Sequence, residues 1–478
     1  MSTAKDADAE WKPRENARLI RNVVILACAV DAADKGLLPA TFKAMSDELG
    51  FGSAALGALT FAQSVSFSAA LPLWGCLMRV YSVRDLMVCG CLLWSALTVC
   101  LAFASSYTAQ FALRIFVGVA LASVNPLGQA VICEVVDPTK RGRAFGLQQG
   151  ISKAVEMSVA FGATATSQMV FGGLSGWQAS YLAVAALSLL TGLSLRFLVP
   201  EDVSAPHETR SGSWFADQKR IIGAVASKPS FLIMVAQGVT GGIPWNAFAY
   251  LTYYFQLSGY SNAEAGKIML YGGLGGVIGG LLGGWLGDGA AKLFRDSGRC
   301  MVAQLSVVLG SACFVWMMEV PFGPHSFLIV GLAHLTFNAV AVWTPAGALR
   351  PFCGELFHDS QERAQIFAMW ISLEGIISSF CGAPLVGLLS DLFGKKLQHH
   401  EGGHVSADVE HADDIRTSLM AVSMIPWVLC FLAWVPMYWT YPRDRAQASA
   451  ASMASASDSE VSTNPSASDS EEESSMVE

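Results

Sequence analysis

The sequence predicts an all-α membrane protein: twelve transmembrane helices in two six-helix halves. Three observations predict it. Hydrophobic residues make up 53% of the 478 and charged residues only 14%, a balance that soluble domains rarely reach. Apolar stretches of about 20 residues recur along the chain, each long enough to cross a ~30 Å hydrocarbon core as a helix. Lys and Arg fall almost entirely into alternate connections between those stretches.

The apolar runs lie near 20–38, 54–74, 85–104, 108–133, 145–172 and 177–198, then near 229–255, 266–287, 300–319, 325–348, 363–389 and 417–438. They are apolar all round, whereas a barrel strand needs only ~10 residues of alternating pattern, so helices fit and strands do not. The first run is less apolar because it carries charges, and eleven helices or a re-entrant segment is the alternative there. Residues 1–18 form a polar lead without a usual cleavable signal, so the first helix would direct insertion. Residues 19–199 form the first half, 200–228 a cytoplasmic linker, 229–440 the second half, and 441–478 a Ser- and Glu-rich tail expected to be disordered.

With twelve spans, Lys12, Arg14, Arg18, Arg21, Arg79, Arg84, Lys140, Arg141, Arg143, Arg210, Lys219, Arg220, Lys228, Lys292, Arg295, Arg299, Arg350, Arg363, Arg443 and Arg445 share one side. The opposite connections hold almost none until Lys395, Lys396 and Arg416. Short-loop cations resist translocation, which puts both termini in the cytoplasm. The membrane concerned is either the plasma membrane or an endolysosomal or vacuolar one. The cysteines sit mostly in apolar runs, as small hydrophobes, and no Cys/His spacing makes a structural zinc site. One non-cytoplasmic loop holds His399, His400, His404 and His411 among acids, either a solvated loop or a patch responsive to pH or metal. Neither GxxxxGK[ST] nor a strand-to-helix GxGxxG is present, which argues against ATP-driven pumping. No Ser/His/Asp or metal constellation survives placement on the helices, so the sequence predicts no enzyme, no cofactor and no nucleic-acid partner. It predicts a monomer among membrane lipids.

Internal similarity supports two halves. "CEVVDPTKRGRAFGLQQGISKA" from Cys133 and "CGELFHDSQERAQIFAMWISLE" from Cys353 lie 220 residues apart. They share an acid near a helix end, an Arg-Ala pair (Arg143-Ala144, Arg363-Ala364) and a Ser at the same offset (Ser152, Ser372). Repeats of this kind are a transporter signature.

At these residues the chain resembles the major facilitator superfamily over about 19–440. "GGWLGDGAAKLFRDSGR" (283–299) is similar to that superfamily's loop between helices eight and nine, and "GCLMRVYSVRD" (75–85) to its first-half counterpart. Arg79 stands there in place of the usual Asp and Ser82 in place of the second Gly. Within the superfamily, "DAADKGLLPA" resembles the helix-one pattern of Spinster-like transporters, with Asp34 and Lys35 in place of an Asp-Arg pair. "LRIFVGVALASVNP" (113–126) resembles their helix-four arginine motif, but Leu121 stands where that family has a glutamate, a candidate proton carrier. The resemblance implies lysophospholipids and sphingoid lipids as a substrate class.

The candidate substrate or coupling residues are Asp31, Asp34 and Lys35 in helix one, Arg114 and Asn125 in helix four, and Lys153 and Glu156 in helix five. Trp245, Asn246 and Tyr250 in helix seven and Glu374 in helix eleven complete the set. A charge isolated in the membrane costs several kcal/mol, so Asp31, Asp34, Lys35 and Arg114 are expected to pair, as a structural cluster or as one facing a polar cavity. Lys153 and Glu156 form a second pair, structural or anion-steering. Gly241, Gly242 and Pro244 would let helix seven bend, and Tyr253 and Tyr254 would line a route or anchor at an interface. Glu134, Arg143, Asp288, Arg299, Glu355 and Arg363, near cytoplasmic helix ends, are candidate gating residues. The sequence thus points to a secondary transporter of an organic anion or lysolipid-like amphipath, with protons as possible partners. The alternatives are a gradient-independent facilitator of a sugar or small polar metabolite and a non-transporting receptor or scaffold.

Overall fold

A computed structural model of the chain describes residues 15–78, 80–137, 140–201, 203, 219, 222–223, 225–320, 324–356, 360–397 and 407–462, without the side chains of 142, 324, 354, 360–365, 367–368, 395–397, 407 and 451–462. His399, His400, His404 and most of the linker lie outside the described residues, as does the side chain of Arg363.

The backbone is helical almost throughout. In order, the helices are α1 (Ala17–Ala40), α2 (Phe42–Leu49), α3 (Ser53–Leu77), α4 (Val83–Phe103), α5 (Tyr107–Leu121), α6 (Val124–Val135), α7 (Arg141–Thr166) and α8 (Gly176–Leu198). A two-strand hairpin, β1 (Val170–Phe171) with β2 (Leu174–Ser175), precedes α8; Gly172 and Gly173 both turn at positive φ, as a tight hairpin requires. There follow α9 (Pro229–Ala247), α10 (Leu251–Leu257), α11 (Asn262–Leu293), α12 (Gly298–Glu319), α13 (Phe327–Ala341), α14 (Arg350–Leu356), α15 (Ser360–Cys381), α16 (Ala383–Leu397), α17 (Ala407–Ala433) and α18 (Met437–Ser462).

Among the described residues nine helical segments are long and apolar enough to cross a membrane. α1, α7 and α9 are not in that set: Asp31, Asp34 and Lys35 in the first and Lys153 and Glu156 in the second lower their hydropathy, and the Gly, Pro, Gln and Asn residues of α9 lower that of the third. Several long helices break where proline removes a backbone N–H: α5 gives way to α6 just before Pro126, α13 passes through a wide turn at Pro345–Leu349, and α15 yields to α16 at Gly382, before Pro384. α18 runs to Ser462, so the first part of the expected disordered tail is helical; alanine-rich sequence has the propensity for it.

α11 packs on α13 through a stripe of glycines. A Cβ at Gly275 would lie 2.1 Å from the Leu335 carbonyl oxygen, at Gly283 2.5 Å from the Trp343 Cα, and at Gly287 2.3 Å from the Gly347 carbonyl oxygen. Lipid offers no hydrophobic drive between helices, so close backbone approach supplies the contact.

The helices alternate in direction and define two ends, one marked by Ser53 and the other by Lys140. At the Ser53 end one apolar cluster joins both parts of the chain, from Leu37, Phe42 and Leu56 to Tyr250, Phe314 and Trp427. At the Lys140 end the buried apolar residues form two separate clusters. One draws only on residues 20–203, around Met87 and Leu127, and the other only on residues 225–441, around Phe352 and Trp434. The two parts are therefore joined at one end and packed separately at the other.

Candidate functional site

Around α1, the structure brings the first-half charges together. Lys35 Nζ lies 2.8 Å from Asp31 Oδ2, one helical turn away, and 4.7 Å from the centroid of the Phe67 ring. Asp31 is fully buried, while the Lys35 side chain is 37% exposed. Asp34, three residues from Asp31, is buried on another line of contacts: its Oδ1 accepts from Trp94 Nε1 at 3.0 Å and its Oδ2 from Gln63 Nε2 at 3.3 Å. The same Gln63 accepts from Arg114 Nη1 at 2.8 Å through its side-chain oxygen Oε1, and Arg114 Nη2 donates to the Tyr181 hydroxyl at 2.5 Å. Arg114 thus reaches Asp34 through an amide rather than by a direct ion pair. Gly118, one turn along α5 from Arg114, makes room for this: a Cβ there would fall 2.4 Å from the Gln63 carbonyl oxygen.

The Lys153–Glu156 pair in α7 closes at 2.8 Å and remains partly open to solvent. It is not separate from α1. Gly36 sits against α7 so closely that a Cβ on it would lie 3.1 Å from Ala160 Cβ and 3.4 Å from the Glu156 carbonyl oxygen. Glu156 therefore lies on the face of α7 that packs against α1, its Cγ 3.7 Å from a Cβ at Gly36. Three carboxylates and three cations, from α1, α5 and α7, form one group whose charges balance. Asn125 stands apart, in α6, accepting from Gln129 Nε2 and Gln148 Nε2 at 3.2 Å each. Sequence reasoning missed Gln63, Trp94 and Tyr181, which are neutral; an amide in the apolar run "TFAQSVSF" was the one available signal.

In the second part, Trp245 stacks on Phe337 with centroids 5.9 Å apart, and Asn246 Nδ2 donates to Ser378 Oγ at 3.0 Å. Tyr250 is fully buried and donates to the Ser53 carbonyl oxygen at 2.5 Å. Tyr253 and Tyr254 are buried in the shared cluster at the Ser53 end, not spread along a route or set at an interface. Glu374 is half-buried where α15 meets α9 and makes no hydrogen bond or ion pair with another described residue.

The candidate gating residues divide. Arg299 Nη2 pairs with Asp288 at 2.9 Å and Arg299 Nη1 donates to the Gly347 carbonyl oxygen at 2.9 Å. Glu355 lies 3.8 Å from Arg299 and 3.1 Å from Arg445, and accepts from the Tyr441 hydroxyl. Glu134 and Arg143 do not mirror this: both are exposed and neither has a partner among the described residues. In the first half Arg84 instead binds Asp85 at 2.7 Å and Glu201 at 3.2 Å. The Ser53 end also carries Lys43 and Lys267, which the charge reading passed over; Lys43 pairs with Asp47 at 3.5 Å and with Asp408 at 3.8 Å.

An apolar, multi-helix membrane chain, joined at one end and packed in two clusters at the other, with a balanced charge group set into its helices, has the build of a solute transporter. Residues 24–349 match the model of the Major Facilitator Superfamily, and the chain belongs to that superfamily. It is a secondary-transport protein rather than an enzyme.

No curated protein sequence matches the chain. Among solved structures, a bacterial homolog to the human lysosomal transporter Spinster, inward-facing and unoccupied, aligns with a TM-score of 0.74 at 16% identity, covering 91% of this chain and 99% of that one. The nucleoside transporter NupG aligns with a TM-score of 0.67 at 14% identity, over 89% of this chain and 100% of that one. A D-xylose-proton symporter aligns with a TM-score of 0.67 at 13% identity, over 89% and 98%. At these identities the likeness is one of fold.

Proposed function

We propose that this protein carries an organic anion or lysolipid-like amphipathic solute across a membrane together with protons, by rocking two six-helix halves, 19–199 and 229–440, about a central opening. The observation that carries the reading is the balanced charge group of α1, α5 and α7. While every carboxylate is ionised, its charges cancel. Protonating one of them, with Asp34 the best placed because Arg114 reaches it only through Gln63, leaves a net positive charge beside the part-exposed Lys35 side chain. Proton and anion then favour each other's binding, and by linkage the effect is reciprocal. Trp245 and Phe67 offer apolar surface for the rest of an amphipath.

The basic Lys140 end is cytoplasmic on this reading, and the conformation, closed at Ser53 and parted at Lys140, faces inward. Arg299, Glu355 and Asp288 hold the inner end of the second half, and Tyr250 the outer closure. The lysolipid arm of the proposal is supported by the resemblance of the helix-one and helix-four segments to the Spinster-like pattern; the bacterial Spinster homolog adds a shared fold.

Uptake by purified protein in liposomes tests it, with lysophospholipids, organic anions and sugars offered with and without an inward proton gradient. Gradient-stimulated uptake of an anion or lysolipid that is lost in Asp34→Asn and in Arg114→Ala is the expected result. Uptake of a sugar that ignores both the gradient and Asp34→Asn would make the protein a facilitator with a structural charge cluster.

A further inference from the structure

Glu374 differs from the other intramembrane carboxylates. Asp31 has Lys35, and Asp34 has Trp94 and Gln63. Glu374 has a niche instead. α9 presents Gly238 and Gly242, four residues apart and so on one face of the helix. A Cβ at Gly238 would lie 2.5 Å from Glu374 Oε2, and one at Gly242 3.3 Å from Glu374 Oε1. Any side chain at Gly238 would displace the carboxyl, so both glycines shape the space that it fills. Ser378 Oγ and Trp370 Nε1 line the same space, at 3.4 Å from the Gly242 position and 3.2 Å from the Gly238 position.

Among the described residues no cation faces the group. Residues 229–247 of α9 and 53–77 of α3, both packed against α15, contain no Asp, Glu, Lys, Arg or His. From α17 the thiol of Cys430 approaches, next to Gly241. Arg350 and Glu355 of α14 lie at the Lys140 end, and Asp391 of α16 at the Ser53 end. A carboxylate held at depth without a cation or a hydrogen bond is costly, and such a group takes up a proton instead.

We propose that Glu374 is a second proton-binding group, in the second half of the molecule, held as the neutral acid in the Gly238–Gly242 niche and ionised only when α9 and α15 part. This rests on the transport reading for its purpose but not for its test. On opening, the carboxyl O–H bond breaks and the proton passes to water at the Lys140 end. The reverse step reseats the acid and closes the seam. Asn246, which ties the Gly242 carbonyl oxygen at 3.2 Å to Ser378 Oγ at 3.0 Å, spans the same seam one turn further along. Proton binding at Glu374 is thereby connected to the segment of α9 that carries Gly241, Gly242 and Pro244, where a gating helix bends.

The test needs no transported solute. Infrared spectra of the protein in liposomes, titrated by pH alone, report the carbonyl stretch of a protonated carboxyl. The band is expected at neutral pH in the natural protein and in Asp34→Asn, and its Glu374 share is expected to vanish in Glu374→Gln. In Gly238→Ala, which pushes the carboxyl out of its niche, that share should titrate away at lower pH. Spin labels at the exposed positions Leu232 of α9 and Ile371 of α15 give a second readout. Their separation should widen as pH rises in the natural sequence and hold constant in Glu374→Gln. Identical spectra with and without Glu374, or an identical pH response of the label distance, would overturn the assignment. Failure of the transport reading would appear only in solute uptake and would leave the band in place.

Discussion

The Asp391 carboxylate accepts a hydrogen bond from the backbone N–H of Ala54 at 3.2 Å, so a side chain of α16 caps the first turn of α3. A helix N-terminus presents unsatisfied N–H groups and a partial positive charge, and an anion there is stabilising. The same turn receives Tyr250, whose hydroxyl donates to the Ser53 carbonyl oxygen, and His411, whose Nε2 lies 2.8 Å from Ser53 Oγ. Gly57 and Gly387 let the chains come this close: a Cβ on either would fall within 2.7 Å of the Tyr250 hydroxyl. Residues from three parts of the second half thus converge on one helical turn of the first.

Asp391→Asn should loosen that closure. Loss of the charge at the α3 N-terminus is worth about 1 kcal/mol, or roughly a five-fold shift in population toward the state open at the Ser53 end. Cysteines placed at Lys43 and Asp408, whose side chains now pair across the closure, should cross-link less in the Asp391→Asn background. An unchanged yield would remove the cap from the gate.

Gln63 connects Asp34 to Arg114, so Gln63→Ala should act on both. Burying the guanidinium without its acceptor costs about 1–3 kcal/mol, and proton-driven uptake should fall by on the order of ten-fold. Tyr181→Phe removes one acceptor of Arg114 and leaves Gln63 in place, so its effect should be smaller. Equal, negligible effects in both would make the amide a bystander.

The glycines of α11 supply a test with its own control. Gly275→Leu and Gly283→Leu collide with the backbone of the Leu335 and Trp343 segments, and each should cost about 3 kcal/mol. Nothing lies within 4 Å of a Cβ at Gly280 or Gly284, so leucine there should be tolerated. Thermal unfolding in detergent separates the two pairs; equal losses at all four positions would mean that helix propensity or lipid contact, rather than packing, sets the glycine content.

Glu355 and Glu134 lie near the start of the two repeated segments, one residue out of register, and differ in surroundings. Glu355→Gln should weaken contacts to Arg299, Arg445 and Tyr441, lowering stability by about 1–2 kcal/mol for a part-buried network. Glu134→Gln should be silent in the same unfolding measurement because its carboxylate is exposed and unpartnered. A comparable loss from Glu134→Gln would show that the first-half acid finds its partner in another state of the cycle.

Much of this architecture is legible from one-dimensional pattern. Apolar runs become helices because lipid cannot satisfy backbone polar groups. The charges of α1 announce a polar contact because ionised groups are not left alone in hydrocarbon. What pattern cannot supply is the identity of the partner. Asp34 finds Gln63 and Trp94 rather than Arg114, since one amide can serve a carboxylate and a guanidinium at once. Glu156 comes to rest beside α1 because Gly36 permits close approach. Glu355 gains Arg445 and Tyr441 while Glu134 gains none among the described residues, although both acids follow the cysteine that opens their repeat. The sequence by itself determined that these helices cross a membrane and that charges lie within them. The tertiary structure alone decided which charges meet and which end is closed, because those depend on where backbones separated by hundreds of residues come within a few ångströms.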